Sequence, residues 1–499
     1  AKILVTRGFE EYTDEAVREF IDQPKSLLFG DLCVSTEKDM EKSTERIRQA
    51  IENNEPVMVN GDPDADGITG TAVMTTGLRS MGIKTFYDFP VRAREGHGLH
   101  PRIIDDADKL GCKLIFTVDC GTLSFEAIEF AKTNNIDVIV LDHHQSEIRL
   151  PQAYSVVNPN RIDDKSNLEY LCAAGVSFMF LVSLNKYLRS KNWFKKKNLI
   201  ENNLLNYLDL VSLGTVCDVV PLVGLNRAIV KQGLKIIKSK KNLGIKTLLD
   251  ICKIETSPSV YHLGYILGPR INAGGRVGKC SHGANLFLNK DPKNTFKIAS
   301  ELDQFNKERQ MLEKNLLQKI LNQTKNYLSD PVLIISGNNW HEGIIGIVAA
   351  RLKDKFSKPV VIISIEGNIG KASARSIVGF DIGSIIISAT QEKILLKGGG
   401  HKMAGGFSIK VENIEKLKNF IFRKFKNINE DLTSQKPLML DSVISPSAVN
   451  MDFYKKIALL QPYGSGNPEP RFMIENLNTI NGKVVGDKHV KSVLIGEDG

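Results

Sequence analysis

The sequence predicts an α/β protein: a parallel-sheet domain, a long connecting helix, a smaller α/β domain and a β-rich tail. Three observations carry this expectation. Short apolar runs alternate with helix-like segments in two separate stretches, a charged helical pattern without Gly or Pro lies between them, and the last part is rich in turns and short extended runs.

In the first stretch, VMVN at Val57, LIFTV at Leu114 and VIVL at Val138 read as strands, with helix-like segments at 68–80, 103–110 and 125–132 between them. The run LCAAGVSFMFLVSL from Leu171 is shorter than the roughly 18 residues of a membrane span and contains Gly and Ser, so it reads as a buried helix. A leucine-rich, mostly helical region continues to about Lys290, and its basic patch KNWFKKK from Lys191 reads as a solvated face. Residues 298–328 form a single helical pattern, expected as a strut or hinge. The second alternation runs from PVLIIS at Pro331, through a helix at 344–355 and the strand VVIISI at Val360, to a helix at 414–424. Beyond about Thr433, LMLDSVI, RFMI and SVLIG surround the turn-rich QPYGSGNPEP. The expected division is 1–290, 291–330, 331–432 and 433–499.

A chain of 499 residues has room for about three domains, each with its own core. Hydrophobic content of 42% and charged content of 25% exclude a disordered chain and a membrane-embedded one. Seven cysteines without a C-x-x-C pair fit free thiols in a reducing compartment, so a cytoplasmic setting is expected. The N-terminal AKILVTRGFE shows neither an export signal nor an initiator Met, and the chain reads as trimmed. Sixty-six basic against 57 acidic residues give a formal charge of +9, which permits a polyanionic partner without requiring one.

Three expected strands finish in acids or imidazoles: GDPDADG supplies Asp62, Asp64 and Asp66, VDCG supplies Asp119, and LDHH supplies Asp142, His143 and His144. In a parallel sheet the strand carboxyl ends line one crevice, so these scattered groups can converge. Gathered carboxylates raise one another's pKa unless a cation neutralises them, and oxygen ligands with an imidazole suit Mn²⁺ or Mg²⁺. Asp218, in LVSLGTVCDVVPL, is a further acid. Any one of these acids reads equally well as a helix N-cap, whereas the whole set points to metal. Two cations about 3.5–4 Å apart, bridged by one carboxylate, activate water and neutralise a developing phosphate charge, so phosphoester hydrolysis is the expected chemistry.

Six motifs in order, DPDADG, TVDCGT, DHH, GTVCDVVPL, INAGGRVG and GGGHKMAGGF, resemble the DHH phosphoesterase superfamily and, within it, the RecJ single-strand-specific exonucleases. QPYGSGNPEP from Gln461 resembles the start of the family's OB-like nucleic-acid-binding tail, which here reads as incomplete. The resemblance implies a DHH catalytic domain at 1–290 and a DHH-associated domain at 331–432. It also implies two divalent cations held by Asp62, Asp64, Asp66, Asp119, His143 and Asp218, with Asp119 bridging and His144 near the scissile phosphate. Asn60 stands where many superfamily members carry His, which puts one metal position in question. Phosphate or strand contacts are implied for Arg92, Arg276, Ser373, Arg375, Gly398, Gly399, Gly400 and His401, the glycines as an anion-binding loop. His97 takes a position where the family usually shows Tyr. His341 is expected to be structural, and Trp340 to pack.

The implied activity is 5′ to 3′ hydrolysis of single-stranded DNA to 5′-mononucleotides in repair and recombination, by a monomer without membrane attachment. Single-strand-binding protein and a RecQ-type helicase are the implied partners. The rivals are a DHH hydrolase of short oligonucleotides or small phosphorylated nucleotides, and a catalytically silent scaffold that binds single strands.

Overall fold

The computed structural model describes residues 3, 20, 37–91, 95–324, 329–426, 438–486 and 489–496. They fall into two compact units: Ala1–Gly275 with Cys280–Ser300 and Leu438–Gly499, and Arg276–Lys279 with Glu301–Pro437.

The first unit opens with α1 (Glu37–Glu52) and then alternates β1 (Val57–Gly61), α2 (Ala65–Ser80), β2 (Thr85–Asp88), α3 (Pro101–Lys109), β3 (Leu114–Val118), α4 (Phe125–Thr133), β4 (Asp137–Leu141) and β5 (Ser155–Val157). All pairings are parallel and the strand order is β2-β1-β3-β4-β5. Residues of β1, β3 and β4 are buried almost throughout, because helices cover both faces of the sheet. Met58, Ile115, Val138 and Val140 pack against Ile103 and Ile104 of α3 and Ile128 of α4. On the opposite face Phe116 meets Phe180 edge-on at 5.9 Å. Phe180 belongs to α5 (Ala173–Ser190), the buried helix expected from Leu171.

Sequence reading missed β2 and β5. Both are sheet edges of four and three residues, too short to show a period.

The helical region continues with α6 (Trp193–Lys196), α7 (Leu208–Cys217), α8 (Gly224–Lys238), α9 (Leu243–Ile251), a π-helical turn at His262–Leu267, α10 (Gly268–Val277), α11 (His282–Leu288) and α12 (Pro292–Thr324). The KNWFKKK patch is solvated at its lysines and Asn192, while Trp193 and Phe194 are buried. The expected long helix is α12, whose described part ends at Thr324.

The second unit holds β6 (Leu333–Asn338), α13 (Glu342–Phe356), β7 (Val360–Glu366), β8 (Ile369–Arg375), α14 (Ile382–Gln391), β9 (Lys397–His401), β10 (Ala404–Lys410) and α15 (Ile414–Lys426). Its sheet runs β6-β7-β8-β10-β9, parallel only between β6 and β7. Alternate residues of β6 and β7 serve two cores: Leu333, Ile335, Val360 and Ile362 pack with Trp340 and Val348, while Ile334, Val361 and Ile363 pack with Phe380, Ile386 and Phe420. Trp340 therefore packs, as expected.

The tail contains β11 (Ser442–Val443), α16 (Met451–Ala458), β12 (Phe472–Met473) and the exposed hairpin of β13 (Asn478–Val485) and β14 (His489–Ile495). Its QPYGSGN turn is built into the first unit. Leu222 N–H donates to Ser465 O at 2.7 Å, and the fully buried Arg227 donates to the Gln461 and Pro462 carbonyls. Among the described residues, no helix is long and apolar enough to cross a membrane.

Candidate active site

In a doubly wound sheet of order 2-1-3-4-5 the connections from the two central strands leave in opposite directions, opening a crevice at their carboxyl ends. Here those strands are β1 and β3, and the acids that follow them line that crevice.

After β1, the Asp62 N–H stays on the ladder, donating to Val118 O at 3.1 Å, and the chain turns directly into α2. Asp64 is the N-cap of α2, its Oδ1 accepting from Asp66 N–H and Gly67 N–H. The capping reading is observed for this carboxylate, and it is compatible with a ligand role. Asp66 is 2% exposed, and its two oxygens accept from the backbone N–H groups of Ala173 and Ala174, at the start of α5. A helix N-terminus favours a carboxylate there. Gly214 leaves room for it, because a Cβ at that position would stand 2.8 Å from Asp66 Oδ1.

After β3, Asp119 adopts φ +64 and Gly121 φ +116. A left-handed backbone at a buried acid is a strain the surrounding structure maintains, and it turns the carboxylate back over the sheet edge. Val219, next to Asp218, is likewise left-handed at φ +61.

The DHH segment after β4 divides its labour. Asp142 Oδ1 accepts from the N–H groups of His143 and His144 and lies 2.7 Å from His144 Nδ1, while Oδ2 accepts from Thr122 N–H. Burial by itself raises a carboxyl pKa, but these bonds hold Asp142 well below the usual range, and Asp142 in turn raises His144 to about 9. Asp142 is therefore a positioning residue. His143 is left to point inward, its Nε2 at 3.2 Å from Asp119 Oδ1, 3.7 Å from Asp218 Oδ2 and 3.9 Å from Asp66 Oδ2.

Three overlapping groups result, each with ligand atoms within 4.8 Å of one another: Asp62, Asp64 and Asp119; Asp66, His143 and Asp218; and Asp119, His143 and His144. These clusters can hold metal. Asp119 Oδ1 is a buried oxygen that accepts no hydrogen bond, as a cation ligand would be. The thiols of Cys120, Cys172 and Cys217 are pushed up by burial, so the donors are oxygens and imidazoles, the set that Mn²⁺ or Mg²⁺ takes. Asn60 Oδ1, like Asp119 Oδ1, is a buried oxygen that accepts no hydrogen bond. The Asn60 side chain is fully buried, and its amide donates to Cys120 Sγ at 3.5 Å.

Burial raises Asp119 well above the carboxylate range, with Asp64, Asp66, Asp62 and Asp218 adding to the effect. Asp218 is pushed up to about 8 by burial, then by Asp66 and Asp64. A carboxyl whose folded pKa exceeds its unfolded value binds more protons when folded, so the metal-free protein loses stability as pH rises from 3.8 to about 8. Thermal unfolding with chelator should show this fall, and added Mn²⁺ should restore most stability at the alkaline end; a flat metal-free profile would contradict it.

Other expected residues lie elsewhere. Arg92 is outside the described residues. Arg276 donates to Gly343 O at 3.0 Å, pinning the start of α13. Ser373 and Arg375 share β8, with Arg375 Nη1 donating to Ser373 Oγ at 3.2 Å, and both approach Gly346 of α13. Gly398, Gly399 and Gly400 correct the loop expectation, because they lie in β9, the edge strand of its sheet. A Cβ on Gly398 would press on Ile386 and Phe407 and one on Gly400 on the β10 backbone, whereas Gly399 faces open space. Glycine is needed there mainly for close packing. His401 ends that strand, its Nδ1 accepting from Met403 N–H. His341 N-caps α13, as its structural reading expects.

Sequence reading missed the groups that hold the site. Asn158 donates to Thr122 Oγ1 and His144 O, Asn160 to His143 O, and Asn272 Oδ1 accepts from Ala65 N–H at the start of α2. The NPN after β5 was the available signal for two of them. His97 places Nδ1 3.1 Å from Asp62 Oδ1, a contact no stacking argument foresees.

Fold and site together define a DHH-type domain with a polycarboxylate metal centre. Residues 56–215 match the DHH family, N-terminal domain, residues 324–427 the DHHA1 domain, and residues 440–498 the RecJ OB domain. The chain is 34% identical to the single-stranded-DNA-specific exonuclease RecJ of Salmonella typhimurium over 91% of this chain and 81% of that one, and equally so to the Escherichia coli protein. Crystal structures of Thermus thermophilus RecJ match over 99% of this chain: with Mn²⁺ at TM-score 0.80, 27% identity and 68% of that chain, and with Mg²⁺ at 0.74, 26% and 67%. The chain belongs to the RecJ exonuclease family.

Proposed function

We propose that this protein is a metal-dependent exonuclease of single-stranded DNA. The observation that carries this reading is the convergence of Asp119 and His143 in three overlapping ligand groups at the sheet's carboxyl edge. Its family relatives are named as single-stranded-DNA-specific exonucleases, and related structures hold Mn²⁺ or Mg²⁺.

Asp62, Asp64 and Asp119 would hold one cation, and Asp66, His143 and Asp218 the other, with Asp119 between them. When bound, the cations supply a nucleophilic water and neutralise charge on the transferring phosphoryl group. His144 is raised to about 9 by Asp142, and its Nε2, which takes no part in the Asp142 bond, would meet a phosphate oxygen. The α5 N-terminus fixes Asp66, and Thr122 fixes Asp142, so neither ligand loop has to reorganise as charge develops.

The proposal extends to Ser373, Arg375, Gly399 and His401 as phosphate contacts on the second unit, with the exposed edge of β9 offering backbone N–H groups. Arg276 and Arg92 are proposed to contact the strand backbone on the family resemblance. Cleavage from 5′ to 3′, release of 5′-mononucleotides, a role in repair and recombination, and partnership with single-strand-binding protein or a RecQ-type helicase rest on that resemblance too. A cytoplasmic setting is proposed from the cysteines, all six described ones being free.

Labelled single strands, duplexes and dinucleotides incubated with Mn²⁺ test the reading. Single strands should shorten stepwise while duplexes persist. Cleavage confined to dinucleotides would favour the short-oligonucleotide hydrolase, and binding without cleavage the silent scaffold.

A further inference from the structure

Residues 224–241 contain no acid, and α8 sets Lys231, Lys235 and Lys238 with Leu234 along one side of the helix. Lys231 and Leu234 form one wall of a cavity of about 700 Å³. Tyr261 and Tyr265, from the π-helical turn and the residue before it, also line it, as does the turn of the tail around Pro462 and Pro468.

The two tyrosines are 60% and 75% exposed and stack on one another, ring centroids 5.4 Å apart and planes 24° from parallel. Two large rings left in water beside a basic helix are a cost to the free protein that a ligand would offset. Parallel ring faces suit a planar base, and an acid-free stripe of lysines suits a phosphate backbone. A single acid, Glu469, lines the cavity. The tyrosine segment also rests on the end of α7, where Cys217 Sγ approaches Leu263 O at 3.6 Å, immediately before Asp218. The stack is therefore continuous with the helix end that carries a proposed metal ligand.

We propose that this cavity is a second contact for a single strand, in which bases stack on Tyr261 and Tyr265 and the α8 lysines neutralise the backbone. It rests on the nuclease reading above and adds a grip outside the metal centre, made by the catalytic unit itself. Such stacking tolerates any base, because every base presents a π-face.

Fluorescence anisotropy of the full chain with labelled oligothymidylates of increasing length, in chelator so that nothing is cut, tests it. Tyr261→Ala with Tyr265→Ala should weaken binding of long strands roughly tenfold or more, and flatten the rise of affinity with length. Tyr261→Phe with Tyr265→Phe should keep the affinity, since the ring and not the hydroxyl stacks. Lys235→Ala with Lys238→Ala should lower the steepness of the salt dependence. Wild-type affinity in the double alanine variant, or equal weakening by phenylalanine, overturns the proposal. A wild-type chain that neither binds nor cuts single strands overturns the nuclease reading instead.

Discussion

Replacing Asp119 by asparagine should lower Mn²⁺-dependent turnover by more than the roughly 10–100-fold that removal of an outer-sphere partner costs. Asparagine is the informative substitution, because it tolerates the left-handed backbone at φ +64 and keeps the shape of the side chain. Only the charge is lost. In the metal-free protein that loss should help, since Asp119 is buried among Asp62, Asp64, Asp66 and Asp218 and its ionisation is opposed by all of them. The unfolding midpoint in chelator should therefore rise by about a few degrees, while the rise produced by Mn²⁺ in the wild type should shrink or vanish. Opposite signs with and without metal separate a ligand from a merely structural acid. Unaltered Mn²⁺-dependent cleavage would remove Asp119 from the centre.

Gly67→Ala should be damaging although it lies inside a helix, where alanine is ordinarily favoured over glycine by about 0.5–1 kcal/mol. A Cβ there would stand 2.3 Å from Asp62 O and 2.8 Å from Asp62 N. Both are backbone atoms, so relief requires moving the turn that carries Asp62 and Asp64. Overpacking of this kind costs about 1–3 kcal/mol, and the displaced acids should raise the Mn²⁺ concentration for half-maximal activity. Thermal unfolding and a Mn²⁺ titration measure the two effects. Wild-type behaviour in both would show that the turn accommodates the methyl group and does not set the ligand geometry.

Much of the first unit was legible because its signals are local. Val57, Leu114 and Val138 begin apolar runs bounded by helical periodicity, and acids at the ends of parallel strands have few places to go but the crevice. The strands at 85–88 and 155–157 were not legible, because short edge strands owe their existence to neighbours in the sheet. The triple glycine was misread for a related reason. Glycine runs are compatible with a loop or with a strand under close packing, and only Ile386, Phe407 and the β10 backbone decide between them.

The sequence alone determined the alternation of strands and helices, the kinds of ligand available and the chemistry they suit, since these follow from residue type and spacing. Tertiary structure decided which carboxylates gather in groups able to hold a cation and which hold other groups in place. Asp66 is anchored by the start of a helix more than a hundred residues away, Asp142 is held as a support by Thr122 and His144, and two exposed tyrosines come to share a cavity with Lys231 of α8. Those outcomes depend on distances through space, which folding sets and chain order does not.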